Sequence, residues 1–512
     1  MGKFYLTTAI DYANGDPHIG HAFEKIGADA IARYRRMCGD DVHFLIGMDE
    51  HGQKVAQAAA ASGVPPQEFV DRVADIFQRM WDRLSISRDQ FMRTTDPGHK
   101  AGVRALIKRC YDNNPDDFYE KAYEGWYCVG CEQFKRENEI ADGKCILHPT
   151  RDLEWASESN WFFRLSRYES FLRELLTNRP DFLQPSSRRN EMLGLLDQGL
   201  EDISISRARL EWAIPFPLHA EGEPQGTWVW FDALPNYLTA TGYPGQRYRE
   251  LWPAQLHVIG KDITRLHSIV WPAMLQCAEL PVPERVWAHG FVLAGGERFS
   301  KSAGVRLDLN EAIDRYGADA FRYFLLREVP FDADGTFSWE RFEERYNADL
   351  ANALGNLASR VVTMIDRYCD GVVPAAERTP VDDLDAAAFA AYHASMDGSS
   401  GYLLHEALGH LWSTVARANE YVQQEAPWAL AKDPSRRSDL ERVLASVSRQ
   451  LARQAAAVAP FMPEKAQELW NQVGGGGSVH EVRLDQLQTL DTSGWTVSRG
   501  AQLFPKEEGG TA

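Results

Sequence analysis

Two histidines stand three positions apart in the run Pro17-His18-Ile19-Gly20-His21. The apolar segment before this run, Phe4 to Ile10, is typical of a short buried strand, and the segment after it has the periodicity of a helix. A helix that begins where such a strand ends offers free backbone N–H groups and a favourable dipole to an anion. His18 and His21 could then donate to phosphate oxygens as charge grows on them, and Gly20 would leave room for a nucleotide. Alone, the pattern is also typical of two surface histidines at a helix start.

A lysine between two serines lies in a glycine-flanked segment far along the chain. Ser300, Lys301 and Ser302 follow Gly295 and Gly296. A mobile lysine could close over a triphosphate and neutralise charge in a transition state. Taken alone, the same residues would be interpreted as a solvated surface loop.

Three of the seven cysteines cluster with a histidine. Cys128 and Cys131 form one pair, and thirteen residues separate them from the pair Cys145 and His148. Three thiolates and one imidazole fill the tetrahedral shell of Zn²⁺ and leave no open position, so the spacing predicts one structural zinc ion per chain. A disulfide is the alternative, but the odd cysteine count and the expected compartment disfavour it.

The elements that must position these residues alternate between strand and helix. Strands are predicted at 4–10, 41–48, 256–259 and 285–293, and helices at 19–37, 53–61, 66–83, 97–113 and 263–278. This βαβ order favours a parallel, doubly wound sheet. An aromatic-rich stretch from about 119 to 235 is interpreted as an insertion, and beyond about 309 the pattern is almost wholly helical, with breaks near 371–380 and 433–435.

Composition indicates a multidomain globular protein. Of 512 residues, 44% are apolar and 25% are charged, and neither a bilayer-spanning run nor a signal peptide is evident, so a cytoplasmic location without membrane association is expected. The formal net charge of −18 taken alone argues against nucleic acid as a partner. A basic strip can nevertheless lie on an acidic body, so the motifs outweigh the overall charge.

Together, the HxGH corner and the lysine segment 280 positions later resemble the class I aminoacyl-tRNA synthetases. Over roughly residues 1 to 435 the chain resembles the methionyl-tRNA synthetases in TTAIDYANGDPHIGHAFEKIGADAIARY, FLIGMDEHGQKVAQAA, GWYCVGCEQF, SNWFFRLSRY, DISISRARLEW, VWFDALPNYL, HVIGKDITRLHSIVWPAML and DLANALGNLASRV. The resemblance implies an α/β Rossmann-type doubly wound parallel sheet with an inserted zinc-binding connective subdomain, followed by an α-helical bundle that binds the anticodon. The expected units are 1–115 and 233–290 (the two halves of the Rossmann domain), 116–232 (the insertion), 291–350 (the lysine-loop and stem-contact region), and 351–512 (the helical domain and tail).

The resemblance also implies roles for matching residues. It makes His18, His21 and Lys301 catalytic, and it places the ATP contacts at Gly20, Gly260, Asp262, Ser300, Lys301 and Ser302. The methionine pocket would comprise Ile10, Tyr12, Asp49, Trp230, Ala233, Tyr237, Ile263, His267 and Trp271. Asn356, Arg360 and Trp428 would read the anticodon. The implied partners are L-methionine, ATP with Mg²⁺, and tRNA(Met).

Two departures accompany this resemblance. The family's loop usually reads Lys-Met-Ser-Lys-Ser, whereas Arg298 and Phe299 stand here at its first two positions. Asp11 places a charge between two expected pocket residues, where an uncharged neighbour is expected.

The C-terminal module of some relatives is not evident, so a monomer is expected. The alternatives are a class I synthetase for another amino acid and a paralogue that binds tRNA or methionine without charging.

Overall fold

The computed structural model describes residues 2–131, 133–135, 137–146, 148–208, 210–218, 224–294, 297–298 and 307–505. Within these ranges, no helix combines the length and the apolar character that crossing a membrane requires.

Strands concentrate in the first two thirds of the chain, and helices dominate the last third. The strands are β1 Lys3–Thr8, β2 Asp11–Tyr12, β3 Asp41–Asp49, β4 Gln90–Arg93, β5 Phe118–Cys128, β6 Gln133–Phe134, β7 Ile140–Ala141, β8 Lys144–Cys145, β9 His148–Asp152, β10 Glu154–Phe163, β11 Leu183–Gln184, β12 Ile203–Ser204, β13 Ser206–Arg207, β14 Gly226–Thr227, β15 Leu256–Gly260, β16 Val286–His289, β17 Val292–Ala294, β18 Glu297–Arg298 and β19 Gly335–Phe337. The α-helices are α1 Ile19–Cys38, α2 Gln53–Ala61, α3 Pro66–Arg83, α4 Pro97–Asn113, α5 Glu169–Asn178, α6 Ser186–Asp197, α7 Val229–Ala233, α8 Asn236–Thr239, α9 Tyr248–Leu251, α10 Trp271–Cys277, α11 Leu309–Tyr316, α12 Ala318–Glu328, α13 Trp339–Arg345, α14 Asn356–Tyr368, α15 Pro380–Met396, α16 Leu404–Glu425, α17 Pro427–Leu430, α18 Arg437–Val458 and α19 Pro463–Gln472. Two π-helical stretches, Leu266–Val270 and Tyr346–Gly355, precede α10 and α14.

The main sheet has the strand order β11-β16-β15-β1-β3-β2, with β4 also paired to β3. All of its pairings are parallel. Strands covered on both faces need apolar residues throughout, and β1 and β3 are buried along almost their whole length. Because parallel strands end at the same edge, this edge gathers the ends of β1, β3, β15 and β16. The parallel sheet and the helical C-terminal part agree with the prediction from sequence.

The aromatic-rich stretch folds around a long antiparallel pair. β5 and β10 pair from Phe118 opposite Phe163 to Tyr127 opposite Glu154, and β12 and β6 complete a sheet of order β12-β10-β5-β6. The short strands β7, β8 and β9 form a second small sheet beside the cysteine cluster.

The structure corrects one predicted element and adds detail to two others. The single strand predicted at 285–293 is divided into β16 and β17, because the chain at Gly290 passes so close to Ala333 that a Cβ would lie 2.0 Å from its carbonyl oxygen. The helix predicted at 263–278 opens with a 3-10 turn, Lys261–Ile263, and includes the π-helical stretch Leu266–Val270 before α10. The region beyond 309 is almost wholly helical, as predicted; the described residues there include one short strand, β19, which pairs with β17 in parallel.

Candidate active site

The first helix begins with a reciprocal cap made by its two histidines. The Nδ1 atom of His18 accepts from the backbone N–H of Gly20 at 3.1 Å and of His21 at 3.4 Å, and the Nδ1 atom of His21 accepts from the N–H of His18 at 3.2 Å. The two rings stack with centroids 3.6 Å apart. Because each Nδ1 accepts, each neutral ring carries its proton on Nε2, which is therefore a donor. The cap thus sets both histidines as N–H donors at the sheet edge.

Gly20 has a local reason to be small. A Cβ at this position would lie 3.0 Å from Cε1 of His18. That contact is tight, so a larger residue would press on the ring that caps the helix.

A neutral hydrogen-bonded pair forms the centre of the expected methionine pocket. The Tyr237 hydroxyl lies 2.7 Å from Nε2 of His267, whose Nδ1 lies 3.0 Å from the carbonyl oxygen of Ile263. A carbonyl only accepts, so Nδ1 carries the ring proton and Nε2 accepts from Tyr237. Burial lowers the pKa of His267 to about 4, which keeps the ring neutral near pH 7. The Tyr237 ring lies 6.3 Å from that of Trp271, which completes an uncharged wall.

The remaining expected pocket residues line the same region. Asp49 is buried at the end of β3, directly opposite Tyr12 of β2. Four partly buried side chains pack on the same apolar cluster as Tyr237 and Trp271: Ile10, Tyr12, Trp230 and Ile263. Ala233 is buried at the end of α7. The site therefore combines an apolar interior with the carboxylate of Asp49.

Reasoning from sequence missed a buried carboxylate that clamps α7. Asp232 accepts from Nδ1 of His51 at 2.6 Å and from Nε2 of His99 at 2.8 Å. Burial alone would raise the pKa of Asp232, but His51 and His99 outweigh it and bring the pKa to about 2. The position of His51, two residues beyond Asp49, could have indicated a site residue. Its partner Asp232 is distant in sequence, so the pairing could not be predicted.

The expected ATP contacts are divided between described and undescribed residues. Gly260 ends β15 beside His289 of β16, and a Cβ there would lie 2.8 Å from Oδ1 of Asp262. The two residues expected at the ribose therefore lie together at the same sheet edge. The three of the lysine segment, Ser300, Lys301 and Ser302, lie outside the described residues.

The four residues expected to bind zinc converge. Their ligand atoms all lie within 4.8 Å of one another. Sγ of Cys131 is 3.6 Å from Sγ of Cys145 and 3.3 Å from Nδ1 of His148, and Sγ of Cys128 is 3.7 Å from that same Nδ1. A tetrahedral ion with Zn–S bonds of about 2.3 Å would separate two sulfurs by about 3.8 Å. The cluster could therefore hold a metal ion.

The three residues expected at the anticodon lie on one side of the helical region. Asn356 is exposed at the start of α14, and Arg360 follows one turn later. The Arg360 guanidinium lies 5.6 Å from the ring centroid of Trp428 on α17. The structure therefore brings these residues together in the helical region, which follows the residues of the sheet edge in the sequence.

In doubly wound folds, nucleotides bind at the carboxyl edge of the parallel sheet, where this capped helix begins. The family model "tRNA synthetases class I (M)" matches residues 4–151 and 135–362. The methionine–tRNA ligase of Brucella suis is 45% identical over 98% of this chain and 96% of its own length, and that of Caldanaerobacter subterraneus is 42% identical over 98% of this chain and 78% of its own. The structure of Mycobacterium tuberculosis methionyl-tRNA synthetase in complex with methionyl-adenylate superposes with a TM-score of 0.93 at 39% identity, and covers 99% of this chain and 100% of that one. The chain therefore belongs to the class I tRNA synthetases and, within them, to the methionine–tRNA ligases.

Proposed function

We propose that the chain activates L-methionine with ATP to methionyl-adenylate and transfers the methionyl group to tRNA(Met), releasing pyrophosphate and AMP. Two observations carry the proposal: the buried, neutral hydrogen-bonded pair of Tyr237 and His267 among apolar side chains, and the paired histidine donors that cap the first helix. The relative from Mycobacterium tuberculosis, which is similar over its full length, binds methionyl-adenylate.

The first step joins the methionine carboxylate to the α-phosphorus of Mg²⁺-ATP. The carboxylate oxygen attacks in line, the bond to the bridging oxygen breaks, and pyrophosphate leaves. His18 and His21 donate from Nε2 to phosphate oxygens as negative charge grows there. Lys301 supplies further positive charge over the leaving phosphates, and the hydroxyls of Ser300 and Ser302 donate to phosphate oxygens. These residues orient the reactants and stabilise charge, and none of them acts as a nucleophile.

Methionine is selected by an interior that offers no charge. A thioether is a weak acceptor and is polarisable, so aromatic walls suit it. The Tyr237 hydrogen is directed to His267, which leaves the hydroxyl oxygen and ring to contact the side chain. Asp49 binds the α-ammonium group of methionine, and Gly260 and Asp262 hold the ATP ribose.

The second step transfers the methionyl group. The terminal ribose hydroxyl of the tRNA attacks the carbonyl carbon of the mixed anhydride, and AMP leaves. Asn356 and Arg360 contact base edges of the anticodon, and an unpaired base stacks on Trp428. The 5.6 Å contact between Arg360 and Trp428 supports a joint site.

The cluster of Cys128, Cys131, Cys145 and His148 holds one Zn²⁺ ion per chain. Three thiolates and an imidazole match the donors of a closed structural site, and the separations between their ligand atoms support this assignment. When bound, the ion supplies a cross-link that fixes the small sheets of the inserted region.

The test is methionine-dependent exchange of labelled pyrophosphate into ATP by the purified chain. Leucine, isoleucine, valine and cysteine serve as competing substrates, Lys301→Ala as the variant and Lys108→Ala, at an exposed lysine, as its matched control. We expect exchange with methionine alone, lost in Lys301→Ala and kept in Lys108→Ala. Exchange with another amino acid would favour a different synthetase, and no exchange by folded protein would favour the non-charging paralogue.

A further inference from the structure

Asp11 brings a buried carboxylate into residues 9–12, which we call the Ala9–Tyr12 loop. This loop leaves β1, ends in the two-residue strand β2, and holds Ile10 and Tyr12. The Asp11 side chain is 3% exposed, and its Oδ1 lies 2.8 Å from Nζ of Lys25, which is fully buried on α1. Lys25 lies on the helix that begins at the histidine cap. An ion pair therefore joins the methionine side of the site to the phosphate side.

Lys25 makes more than one contact from this position. Its ammonium group donates to the carbonyl oxygen of Ala9, to Asp11 and to Oε1 of Glu24, each at 2.8 Å. An ammonium group has three N–H donors, so all three are used. Because hydrogen bonds are directional, these contacts fix the loop at both Ala9 and Asp11 relative to α1.

The same group of charges reaches the strand beside the expected ribose site. The second carboxylate oxygen of Glu24, Oε2, lies 3.2 Å from Nε2 of His289. His289 pairs across the sheet with Gly260, and its Nδ1 lies 2.7 Å from the carbonyl oxygen of Gly290. One buried network thus contacts the methionine-side loop, the helix of the phosphate corner and the end of β16.

We propose that Lys25 is a positioning residue for methionine activation, and that it holds the Ala9–Tyr12 loop against the helix of His18 and His21 through Asp11. The inference rests on the proposed function and assigns a role to the departure at Asp11. Lys25 contacts no substrate in this scheme, since it acts through the loop that carries Ile10 and Tyr12.

Two substitutions at Asp11 separate the hydrogen bond from the charge. Asp11→Asn keeps an oxygen that can accept from Lys25, whereas Asp11→Ala removes it. Glu24 also accepts from Lys25 at 2.8 Å, so the ammonium group keeps a charged partner in Asp11→Asn. Both variants keep Lys25, which avoids leaving two buried carboxylates without their cation. Lys108→Met, at an exposed lysine 3.6 Å from Asp112, controls for loss of a surface ion pair.

The readouts are the KM values for methionine and ATP in pyrophosphate exchange, and hydrogen–deuterium exchange of the peptide that contains residues 9–12. For Asp11→Ala we expect the methionine KM to rise on the order of 10-fold, because a hydrogen bond to a charged group is lost, while the ATP KM changes less than about 3-fold. Its 9–12 peptide should exchange faster. Asp11→Asn and Lys108→Met should match the parent in all three readouts.

Equal changes in both KM values of Asp11→Ala would overturn the proposal, since they would indicate general loss of structure. Unchanged loop exchange in Asp11→Ala would overturn it as well, as would an Asp11→Asn variant as impaired as Asp11→Ala. A parent protein without exchange activity would contradict the proposed function alone. Hydrogen–deuterium exchange of the loop would then still decide whether Asp11 and Lys25 hold it.

Discussion

Removal of one hydroxyl tests the interpretation of the methionine pocket. In Tyr237→Phe, Nε2 of His267 loses its 2.7 Å partner in a site that is about 1% exposed. A buried acceptor left without a donor costs about 1–3 kcal/mol. The ring has no easy escape, because protonation at about pH 7.5 of a group whose pKa is about 4 would cost about 5 kcal/mol. We therefore expect the free energy of unfolding to fall by about 2 kcal/mol.

A matched substitution separates stability from recognition. The Tyr392 hydroxyl donates to the carbonyl oxygen of Ala457 at 3.0 Å, and Tyr392 is fully buried in the helical region. Tyr392→Phe should lose a similar free energy of unfolding in urea denaturation. Only Tyr237→Phe should weaken methionine binding, by roughly 10-fold, because only that hydroxyl faces the pocket.

Calorimetric titration with methionine and pyrophosphate exchange with leucine provide the remaining readouts. The exchange rate with leucine relative to methionine should rise in Tyr237→Phe, because removal of the hydroxyl oxygen makes this wall less polar and leaves His267 without its hydrogen bond. Unchanged methionine affinity in Tyr237→Phe would refute the assignment of this hydroxyl to the substrate. A similar loss of affinity in Tyr392→Phe would show that the effect comes from stability.

Three other perturbations should act on separate properties of the chain. Gly130→Ala should lower the zinc content, measured by mass spectrometry, below one ion per chain, because the added Cβ would lie 2.6 Å from the His148 ring. The control Gly194→Ala places its Cβ in open space and should not change the zinc content. Trp428→Ala should raise the KM for tRNA by on the order of 10-fold without slowing pyrophosphate exchange, because a stacked base is worth about 1–3 kcal/mol. Because burial lowers the pKa of His267 to about 4, the unfolded chain takes up a proton before the folded chain does as the pH falls. The free energy of unfolding should therefore drop by about 3 kcal/mol between about pH 6.5 and pH 4. In urea unfolding, His267→Gln should lack this loss.

Much of the fold could be predicted because local patterns determine it. The helices expected at 53–61, 66–83 and 97–113 have those bounds in the structure, since apolar periodicity, and in the last two a first-turn proline, act over short distances. The metal cluster was likewise evident from ligand spacing alone. The division of the strand expected at 285–293 could not be predicted, because its cause is the approach of Gly290 to Ala333, 43 positions away.

The sequence predicted which residue types form the candidate site better than it predicted how they are arranged. The residues that carry chemistry could be matched to a family, whereas the groups that position them could not. Lys25 is an example, since a lysine in an amphipathic pattern is expected at the surface, yet it is fully buried. Asp11 appeared as an unexplained charge because the sequence does not show that it meets α1.

The helix that carries the two histidines is fixed by partners from distant parts of the chain. Besides Lys25, α1 presents the buried Asp29, which accepts from Arg322 of α12 at 2.7 Å. Arg322 also donates to the carbonyl oxygens of Leu84, Pro460 and Phe461, at 2.8–3.0 Å. Apolar packing alone leaves rotation about a helix axis loosely defined, whereas directional bonds to several segments define it. The orientation of the histidine cap therefore depends on residues as distant in sequence as Phe461. For this reason the local sequence predicts the chemistry of the cap and not its geometry.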